Sequence, residues 1–477
     1  MQSTIAPMNK YALTAVFLGS LQFVSGQAIN NRLQKAIHHL RSDSQLKHGS
    51  IGITVLDAKT GKNIFSVNEQ TGLAPASCQK ILTSIAAFEL MGKNFRYRTD
   101  LGYAGSLDAG TLQGDLQVTG SGDPTLGSWR WKETGKESVL AEFVAAVRDA
   151  GIKHVTGRIL INDANFSIQA IPGGWVWDDI GNYYGAGTWS VNWGENQYDL
   201  FLQAGSKIGE PTKIESIKPS LGGISIYNQI KTGIKGSGDN GYIYLPIYAR
   251  EGFTEGTIPL GEDHFVISGS TPYAPAAFGQ SLQEALGESQ IYCGQEVETT
   301  LSLSRKGISW SNPNVQLYTH YSPSLDSLNF WFLKKSINLY GEALVKTIAY
   351  EKTGNGNTAK GVELVRGFWK GQGIEASSIN IMDGSGLSPQ NRVTTAALVK
   401  ALLYAQSRQW YPSFFSALPL INGMHMKSGS IGGSRSFAGY QKSAHGQEYV
   451  FAMIVNNFDG DAGDIIKKMW EVLDLLK

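Results

Sequence analysis

The chain of 477 residues lacks the features that mark several common protein classes. It has only two cysteines, and no group of cysteine and histidine has the spacing of a zinc site. Basic and acidic residues number 41 and 40, without a polybasic run, which argues against binding to nucleic acid or to a charged membrane surface. Beyond the N-terminal segment, no stretch approaches 18 continuous apolar residues. No metal, cofactor or membrane-spanning helix is therefore expected.

The first 26 residues have the pattern of a secretory signal. Lys10 supplies a positive charge, residues 11–24 are mostly apolar, and small residues follow. Cleavage is expected after Gly26 or Ala28, and an uncleaved anchor is the alternative. We therefore expect an exported protein of the periplasm or cell envelope, soluble or peripherally associated.

Helical and strand patterns alternate along the rest of the chain, which predicts an α/β (α+β) protein. The strings "IGITVLD" and "NIFSVNE" near the start and "SRSFAGYQKS" and "EYVFAMIVNN" near the end predict one central antiparallel sheet with helices packed on it. Short strands separated by Gly, Asp and Asn turns predict a β-rich insertion over 96–295, made of two nested modules. The main domain would then be discontinuous, with residues 27–95 and 296–477, and its last helix would begin at Asp464 as the cap.

The most informative string is "APASCQKILTSIAAFEL", in which Ser77 and Lys80 lie three residues apart at the head of an apolar run. On a helix these two side chains share a face. A serine hydroxyl needs a base to become a nucleophile, and a desolvated lysine amine can serve as that base. Ser44 and Lys47 have the same spacing but lie in a polar stretch, so the spacing alone does not identify the pair.

Two further strings offer groups that acyl transfer requires. "KKSINLYGEALVK" places Ser336 and Asn338 at the start of a predicted helix, where a hydroxyl can relay a proton and an amide can bind a peptide. "HMKSGSIGGSRSFAGY" places a cation, two hydroxyls and a small residue at the edge of a strand: Lys427, Ser428, Gly429 and Ser430. This set would hold a terminal carboxylate, and the amide N–H groups of Ser77 and Ser430 would form an oxyanion hole.

Six strings, in order, resemble the penicillin-binding D-alanyl-D-alanine carboxypeptidases and endopeptidases that have a long insertion after the active-site helix. They are "PASCQK", "GSGDPTL", "WVWDD", "SINLYGE", "DGSGLS" and "KSGSIGGSRSFAGY". The resemblance implies a penicillin-binding transpeptidase-like fold and hydrolysis of peptidoglycan stem peptides or cross-bridges through an acyl-enzyme. It also implies one role at each matching position: Ser77 as nucleophile, Lys80 as its base, Ser336 as proton relay to the departing amine assisted by Lys427, and Asn338 as anchor of the substrate amide.

The resemblance also implies that penicillins acylate Ser77 as slow substrates. It gives Asp179 the role of a contact for the free amino group of a diaminopimelate side chain, although a simple turn carboxylate is equally consistent with the sequence. Pro389 stands where the family often has arginine, and Ser428 stands where it usually has threonine. The proline at 389 puts the specificity for the substrate side chain in question. The serine at 428 keeps the hydroxyl group of threonine, so its role is expected to be the same.

Three matters stay open at the level of sequence. Cys78 is interpreted as core packing, with a bridge to Cys293 as the alternative. The tryptophans and tyrosines of residues 175–193 either wall a glycan-peptide groove or form a packed corner. The same scaffold would also suit a β-lactamase or esterase, or a non-catalytic peptidoglycan-binding or penicillin-sensing module, and a homodimer is one assembly to test.

Overall fold

The computed structural model describes residues 28–477, and the predicted signal over residues 1–26 lies outside the described residues. The chain divides into two compact units. Among the described residues, the first comprises 28–78, Arg392–Arg408 and Leu418–Lys477, and the second comprises Gln79–Asn391 and Gln409–Ala417. The predicted domain boundaries at residues 95 and 295 remain a prediction. Across residues 28–477, no helix combines the length and the apolar character that crossing a membrane requires.

The helices in chain order are α1 (28–41), α2 (Lys80–Met91), α3 (Lys136–Asp149), α4 (Trp177–Ile180), α5 (Ala274–Glu288), α6 (Thr300–Arg305), α7 (Leu325–Lys334), α8 (Asn338–Thr353), α9 (Thr358–Gly371), α10 (Thr395–Gln406), α11 (Tyr411–Ala417) and α12 (Ala462–Leu473). Short 3₁₀ turns cover Ser44–Leu46, Ala76–Gln79, Tyr183–Gly185, Gly194–Asn196, Ala376–Ser378 and Asp474–Leu476.

The strands are β1 (Ser50–Asp57), β2 (Asn63–Val67), β3 (Arg98–Asp108), β4 (Thr111–Gly120), β5 (His154–Val155), β6 (Ile159–Asn162), β7 (Gln197–Gln203), β8 (Lys213–Lys218), β9 (Ser225–Asn228), β10 (Lys231–Gly233), β11 (Asn240–Tyr244), β12 (Glu251–Pro259), β13 (Phe265–Ser270), β14 (Tyr292–Cys293), β15 (Glu298–Thr299), β16 (Val315–Tyr321), β17 (Ile379–Asn380), β18 (Arg392–Val393), β19 (Leu420–Ile421), β20 (Met424–Ile431), β21 (Ser434–Lys442) and β22 (Glu448–Asn456).

The first unit is built on one antiparallel sheet of six strands in the order β19-β20-β21-β22-β1-β2. The two ends of the chain therefore meet in one sheet, and the predicted α/β (α+β) class with a central antiparallel sheet is confirmed. Helices α1 and α12 bury their apolar sides against one face, where Ile53 and Phe451 lie. On the other face the Thr54 and Thr395 hydroxyls hydrogen-bond at 2.7 Å, which joins β1 to α10. Burial on both faces explains why β22 reads as a continuous apolar run.

The final helix begins one turn earlier than predicted. Asp461 is its N-cap, because its side chain accepts a hydrogen bond from the Asp464 N–H at 3.0 Å. Asp464 lies in the first turn, so its predicted role as the cap was wrong. The helix ends at Leu473, and Leu476 is buried in the 3₁₀ turn that follows.

The second unit combines a helical cluster with three sheets. Helix α2 packs on α7, α8 and α9, and its residues from Lys80 to Phe88 are all buried. One sheet has the order β14-β5-β4-β3-β16, with β6 paired to both β4 and β15. The other two have the orders β13-β7-β8 and β10-β12-β11, with β9 added beside β12. The predicted short strands of residues 96–295 therefore form, although α3 and α5 lie among them.

Candidate active site

Ser77 lies in the 3₁₀ turn Ala76–Gln79, directly before α2, rather than in the α-helix that the spacing predicts. The preceding residue, Ala76, is buried and has a φ of 45°. A left-handed conformation costs a residue with a Cβ about 1–2 kcal/mol, so the surrounding structure has to impose it. Strained backbone of this kind is common where a side chain must be presented for reaction.

The chain before Ser77 is tied to the central sheet by side chains of β21 and β22. Asn456 Oδ1 accepts a hydrogen bond from the Ala74 N–H at 2.7 Å, and the Ser434 hydroxyl donates to the Ala74 carbonyl at 2.7 Å. The Ser436 hydroxyl donates to the Pro75 carbonyl at 2.5 Å. These anchors fix the turn of Ser77 within the first unit. The sequence did not reveal these anchors, although the two anchoring serines, Ser434 and Ser436, belong to the "KSGSIGGSRSFAGY" string.

Strand β20 brings the other predicted residues of the first unit to this turn. Gly429 approaches so closely that a Cβ there would lie 2.9 Å from the Ser77 amide nitrogen. Lys427 is almost fully buried, and its Nζ donates to the Ser428 carbonyl at 2.8 Å. Burial lowers the pKa of Lys427 to about 8. Ser430 is exposed and pairs with Arg435 of β21.

Cys78 belongs to the same neighbourhood. Its thiol is fully buried and donates to the Lys427 carbonyl at 3.1 Å. Both cysteines are thiols in the structure, and burial raises the pKa of Cys293 to about 11. The interpretation of Cys78 as a packing residue is therefore confirmed.

In the second unit, Lys80 and Asn338 lie in direct contact. The Lys80 amine donates to Asn338 Oδ1 at 2.7 Å and to the Ser385 carbonyl at 2.8 Å. Its surroundings are apolar on one side, since the Phe332 ring lies 5.9 Å from the nitrogen. Lys80 is 0% exposed, and burial disfavours the charged form of a lysine amine, which is consistent with its predicted role as a base.

The loop that contains Ser385 is held by two buried carboxylates. Glu342 accepts from the Gly384 and Ser385 N–H groups at 3.1 and 2.9 Å. Burial, and next the neighbouring Asp383, raise the pKa of Glu342 to about 8. Asp383 itself accepts from the N–H groups of Gly386 and Ser388 at 2.9 and 2.7 Å. The "DGSGLS" string thus forms a loop fixed by hydrogen bonds, and its Ser385 carbonyl faces Lys80. The sequence did not reveal that this loop supports Lys80.

Ser336 lies two residues before α8 begins and has a φ of 58°. The side chain is half-buried. A serine in the left-handed region costs of order 1–3 kcal/mol, and such residues cluster at functional sites. In the structure, the strained backbone indicates that Ser336 is a functional position. In the sequence, only the Ser-x-Asn spacing indicates it.

Asp179 is linked to this group through Tyr184. Asn338 donates through Nδ2 to the Tyr184 carbonyl at 2.8 Å, and the Tyr184 side chain lowers the pKa of Asp179 against the larger effects that raise it. Burial, and then the adjacent Asp178, raise the pKa of Asp179 to about 6. Asp179 lies in the four-residue helix α4 and is half-buried, and its role as a contact for a substrate amine stays a prediction.

The aromatic residues of this segment divide into two groups. Trp175, Trp189 and Trp193 are buried, and the indole N–H of Trp175 donates to Asp383 at 2.9 Å. Trp177 and Tyr183 are about half exposed. Three rings therefore form a packed corner, and two remain open to solvent, so the glycan-peptide groove stays a prediction for these two.

The fold of the chain is that of the penicillin-binding transpeptidase-like enzymes. The crystal structure of penicillin-binding protein 4 (dacB) from Haemophilus influenzae covers 89% of this chain and 96% of its own length, with a TM-score of 0.76 and 21% identity. The same protein in complex with a β-lactam gives a TM-score of 0.71 at 20% identity, with 90% of this chain and 96% of that chain covered.

The family model for the D-Ala-D-Ala carboxypeptidase 3 (S13) family matches residues 33–475, and the chain belongs to this family. A D-alanyl-D-alanine carboxypeptidase of Actinomadura sp. (strain R39) is 27% identical over 90% of this chain and 82% of its own. The D-alanyl-D-alanine carboxypeptidase DacB of Haemophilus influenzae is 23% identical over 89% of this chain and 88% of its own. The predicted enzyme class, a serine-type D-Ala-D-Ala carboxypeptidase, is confirmed.

Proposed function

We propose that this enzyme hydrolyses the bond between two D-alanine residues of peptidoglycan stem peptides, or the corresponding bond of a cross-bridge, through an acyl-enzyme on Ser77. The observation that carries the proposal is the buried Lys80 amine, three residues after Ser77 and held by Asn338 Oδ1 and the Ser385 carbonyl. A carboxypeptidase activity and a D,D-endopeptidase activity differ only in the leaving group, which is free D-alanine in the first and a second stem peptide in the other.

In the proposed first step, Ser77 Oγ attacks the carbonyl carbon while Lys80 accepts the hydroxyl proton. The carbon–nitrogen bond of the tetrahedral intermediate then breaks, and the proton reaches the departing amine through Ser336, assisted by Lys427. The pKa of Lys427 supports this role, because burial lowers it to about 8. In the second step water attacks the ester carbon, the bond to Ser77 Oγ breaks, and the proton returns to Ser77.

Substrate binding is assigned to the remaining predicted residues. We propose that Ser428, Gly429 and Ser430 receive the terminal carboxylate and that the amide N–H groups of Ser77 and Ser430 stabilise the oxyanion. Asn338 anchors the substrate amide. Asp179 binds the ammonium of a diaminopimelate side chain, which its half-buried carboxylate suits once it is ionised.

The same chemistry gives covalent binding of β-lactam antibiotics. Opening of the strained lactam amide by Ser77 forms an ester and leaves the amine attached to the acyl group, so no leaving group departs. The acyl-enzyme then persists until water hydrolyses the ester. We further propose export to the periplasm or cell envelope on the strength of the N-terminal pattern.

The test incubates the purified enzyme with an uncross-linked pentapeptide muropeptide, a cross-linked muropeptide and a fluorescent penicillin. Mass spectrometry identifies the products. Ser77→Ala should lose D-alanine release and penicillin labelling together, whereas Ser44→Ala, the other Ser-x-x-Lys serine, should retain both. Labelling that persists in Ser77→Ala would show that another residue is the nucleophile.

The same assay separates the alternatives that the sequence left open. Faster turnover of penicillin than of the D-alanyl-D-alanine peptide would favour a β-lactamase. Stable penicillin binding without D-alanine release from either muropeptide would favour a sensing or binding module. Light scattering of the same preparation tests whether the protein is a homodimer.

A further inference from the structure

Helix α8 carries three polar residues at intervals of four, namely Asn338, Glu342 and Lys346. On an α-helix residues at this spacing lie on one face. Each of them contacts a different part of the second unit: Asn338 contacts Lys80, Glu342 the loop at Ser385, and the Lys346 amine the carbonyls of Gln169 and Thr188 at 2.8 and 3.0 Å. Only Asn338 has a role in the reaction proposed above.

Glu342 is 0% exposed, and a buried carboxylate is unfavourable unless hydrogen bonds satisfy it. Both of its oxygens accept from the loop, from Gly384 N–H at 3.2 and 3.1 Å and from Ser385 N–H at 2.9 Å. The charged groups that act on it are Asp383 of the loop, Lys80 of α2 and Lys346 of its own helix. The carboxylate is therefore committed to the loop and does not face solvent.

These contacts fix the peptide group that Lys80 uses as an acceptor. The Ser385 carbonyl accepts from the Lys80 amine, and the N–H of the same peptide group, that of Gly386, donates to Asp383 at 2.9 Å. The peptide group before it is held through the Ser385 N–H by Glu342. Neither group can rotate without breaking a hydrogen bond to a buried carboxyl group and leaving buried polar atoms unsatisfied.

The orientation of the Lys80 nitrogen follows from its acceptors. A neutral amine has two N–H bonds and one lone pair. When Asn338 Oδ1 and the Ser385 carbonyl take the two N–H bonds, the direction of the lone pair is set. A base aligned in this way needs no reorganisation when it receives a proton, and a misplacement of about 1 Å in such a group costs on the order of 100-fold in rate.

We propose that Glu342 is a positioning residue, which holds the Gly384 and Ser385 N–H groups so that the Ser385 carbonyl that follows them orients the Lys80 amine. The inference rests on the proposed function, in which Lys80 is the base. Glu342 touches neither the serine nor the substrate in this role, and it acts only through the loop.

The test compares Glu342→Gln with Glu351→Gln, an exposed position on the same helix. Glutamine has the size of glutamate but presents an NH₂ group to one of the loop N–H groups. We expect Glu342→Gln to lower kcat for D-alanine release and the penicillin acylation rate by about 10- to 100-fold, with KM changed less than threefold. Glu351→Gln should match the wild type. Glu342→Asp, which keeps a carboxylate, should recover part of the rate and serves if the glutamine variant does not fold.

A second measurement does not depend on turnover. In NMR spectra of lysine-labelled enzyme, the Lys80 amine, assigned with Lys80→Met, should give a protected N–H signal in the wild type and in Glu351→Gln. That signal should be lost in folded Glu342→Gln. A folded Glu342→Gln variant with wild-type kcat, or with an unchanged Lys80 signal, would overturn the inference. Absence of D-alanine release from the wild type would refute the proposed function instead, and the NMR signal would still decide the role of Glu342.

Discussion

Gly429 of strand β20 lies against the turn that carries Ser77. A Cβ built on Gly429 would lie 2.9 Å from the Ser77 amide nitrogen and 2.6 Å from the Pro75 carbonyl oxygen. Both contacts are with backbone, which cannot move aside as a flexible side chain can. The glycine is therefore required for the close packing of the strand on the turn of Ser77, in addition to its predicted place in the set that holds a terminal carboxylate.

Substitution of Gly429 by alanine should separate these backbones and shift the Ser77 amide. We expect the rate constant for covalent labelling by penicillin to fall by about 100-fold, because the proposed nucleophile and the predicted oxyanion donor of Ser77 move together. Gly432→Ala is the matched control, since a Cβ at Gly432, in the turn between β20 and β21, meets nothing within 4 Å. Unchanged labelling in Gly429→Ala would show that the turn can relax without affecting Ser77.

Asp179 should make substrate binding depend on pH. Burial, followed by Asp178, raises the pKa of Asp179 to about 6, so the carboxylate is neutral below this pH and ionised above it. If it binds the ammonium of the substrate side chain, KM should fall as the pH rises from 5 to 7. Asp179→Asn should have a high KM that no longer changes over this range.

The control for Asp179 is chemical. A substrate whose side-chain amine is acetylated should bind equally to the wild type and to Asp179→Asn at every pH. Asp178→Asn, at the exposed neighbour, should keep most of the wild-type dependence. An equal fall in KM for the acetylated substrate would assign the titration to another group.

The elements that local patterns specify were predictable from the sequence. The Ser77 and Lys80 pair was visible because a short spacing at the head of an apolar run has a local signature. The central sheet was visible because its strands are long, alternating or apolar, and bounded by turns. The first unit indeed places the strand of Lys427 and Gly429 beside the turn of Ser77.

The supports of the site were not predictable, for a physical reason. Glu342 binds an N–H group 42 residues away, and the Asp383 carboxylate is reached by Trp175 from 208 residues away. Helix α8 is buried from Leu339 to Ala349, so no amphipathic pattern distinguishes its functional face from its packing face. The left-handed φ of Ser336 also has no sequence signal, because serine at such a position is uncommon.

Lys346 should make the stability of the fold rise with pH. Burial lowers the pKa of Lys346 to about 7, whereas a lysine in the unfolded chain titrates near 10.4. Between these values the unfolded state binds more protons, so the free energy of unfolding rises with pH. The free energy of unfolding of the wild type minus that of Lys346→Met should therefore increase between pH 7 and 9, by at most about 1.4 kcal/mol per pH unit.

Urea unfolding at pH 7, 8 and 9 measures this difference. Lys352→Met, at an exposed position on the same helix, should show a difference from the wild type that does not change with pH. Parallel pH profiles for the wild type and Lys346→Met would mean that the buried amine titrates normally in the folded protein.

The start of α12 offers a test of helix capping. Asp461 accepts from the Asp464 N–H, whereas Asp464 lies in the first turn with only an exposed ion pair to Lys467 at 3.1 Å. Removing an aspartate cap costs about 1 kcal/mol, and an exposed pair contributes a few tenths. Asp461→Ala should thus lower the free energy of unfolding by about 1 kcal/mol, and Asp464→Ala by clearly less. A larger loss of free energy of unfolding in Asp464→Ala than in Asp461→Ala would identify Asp464 as the N-cap. The larger loss is expected for the residue whose carboxylate satisfies an N–H group at the end of the helix.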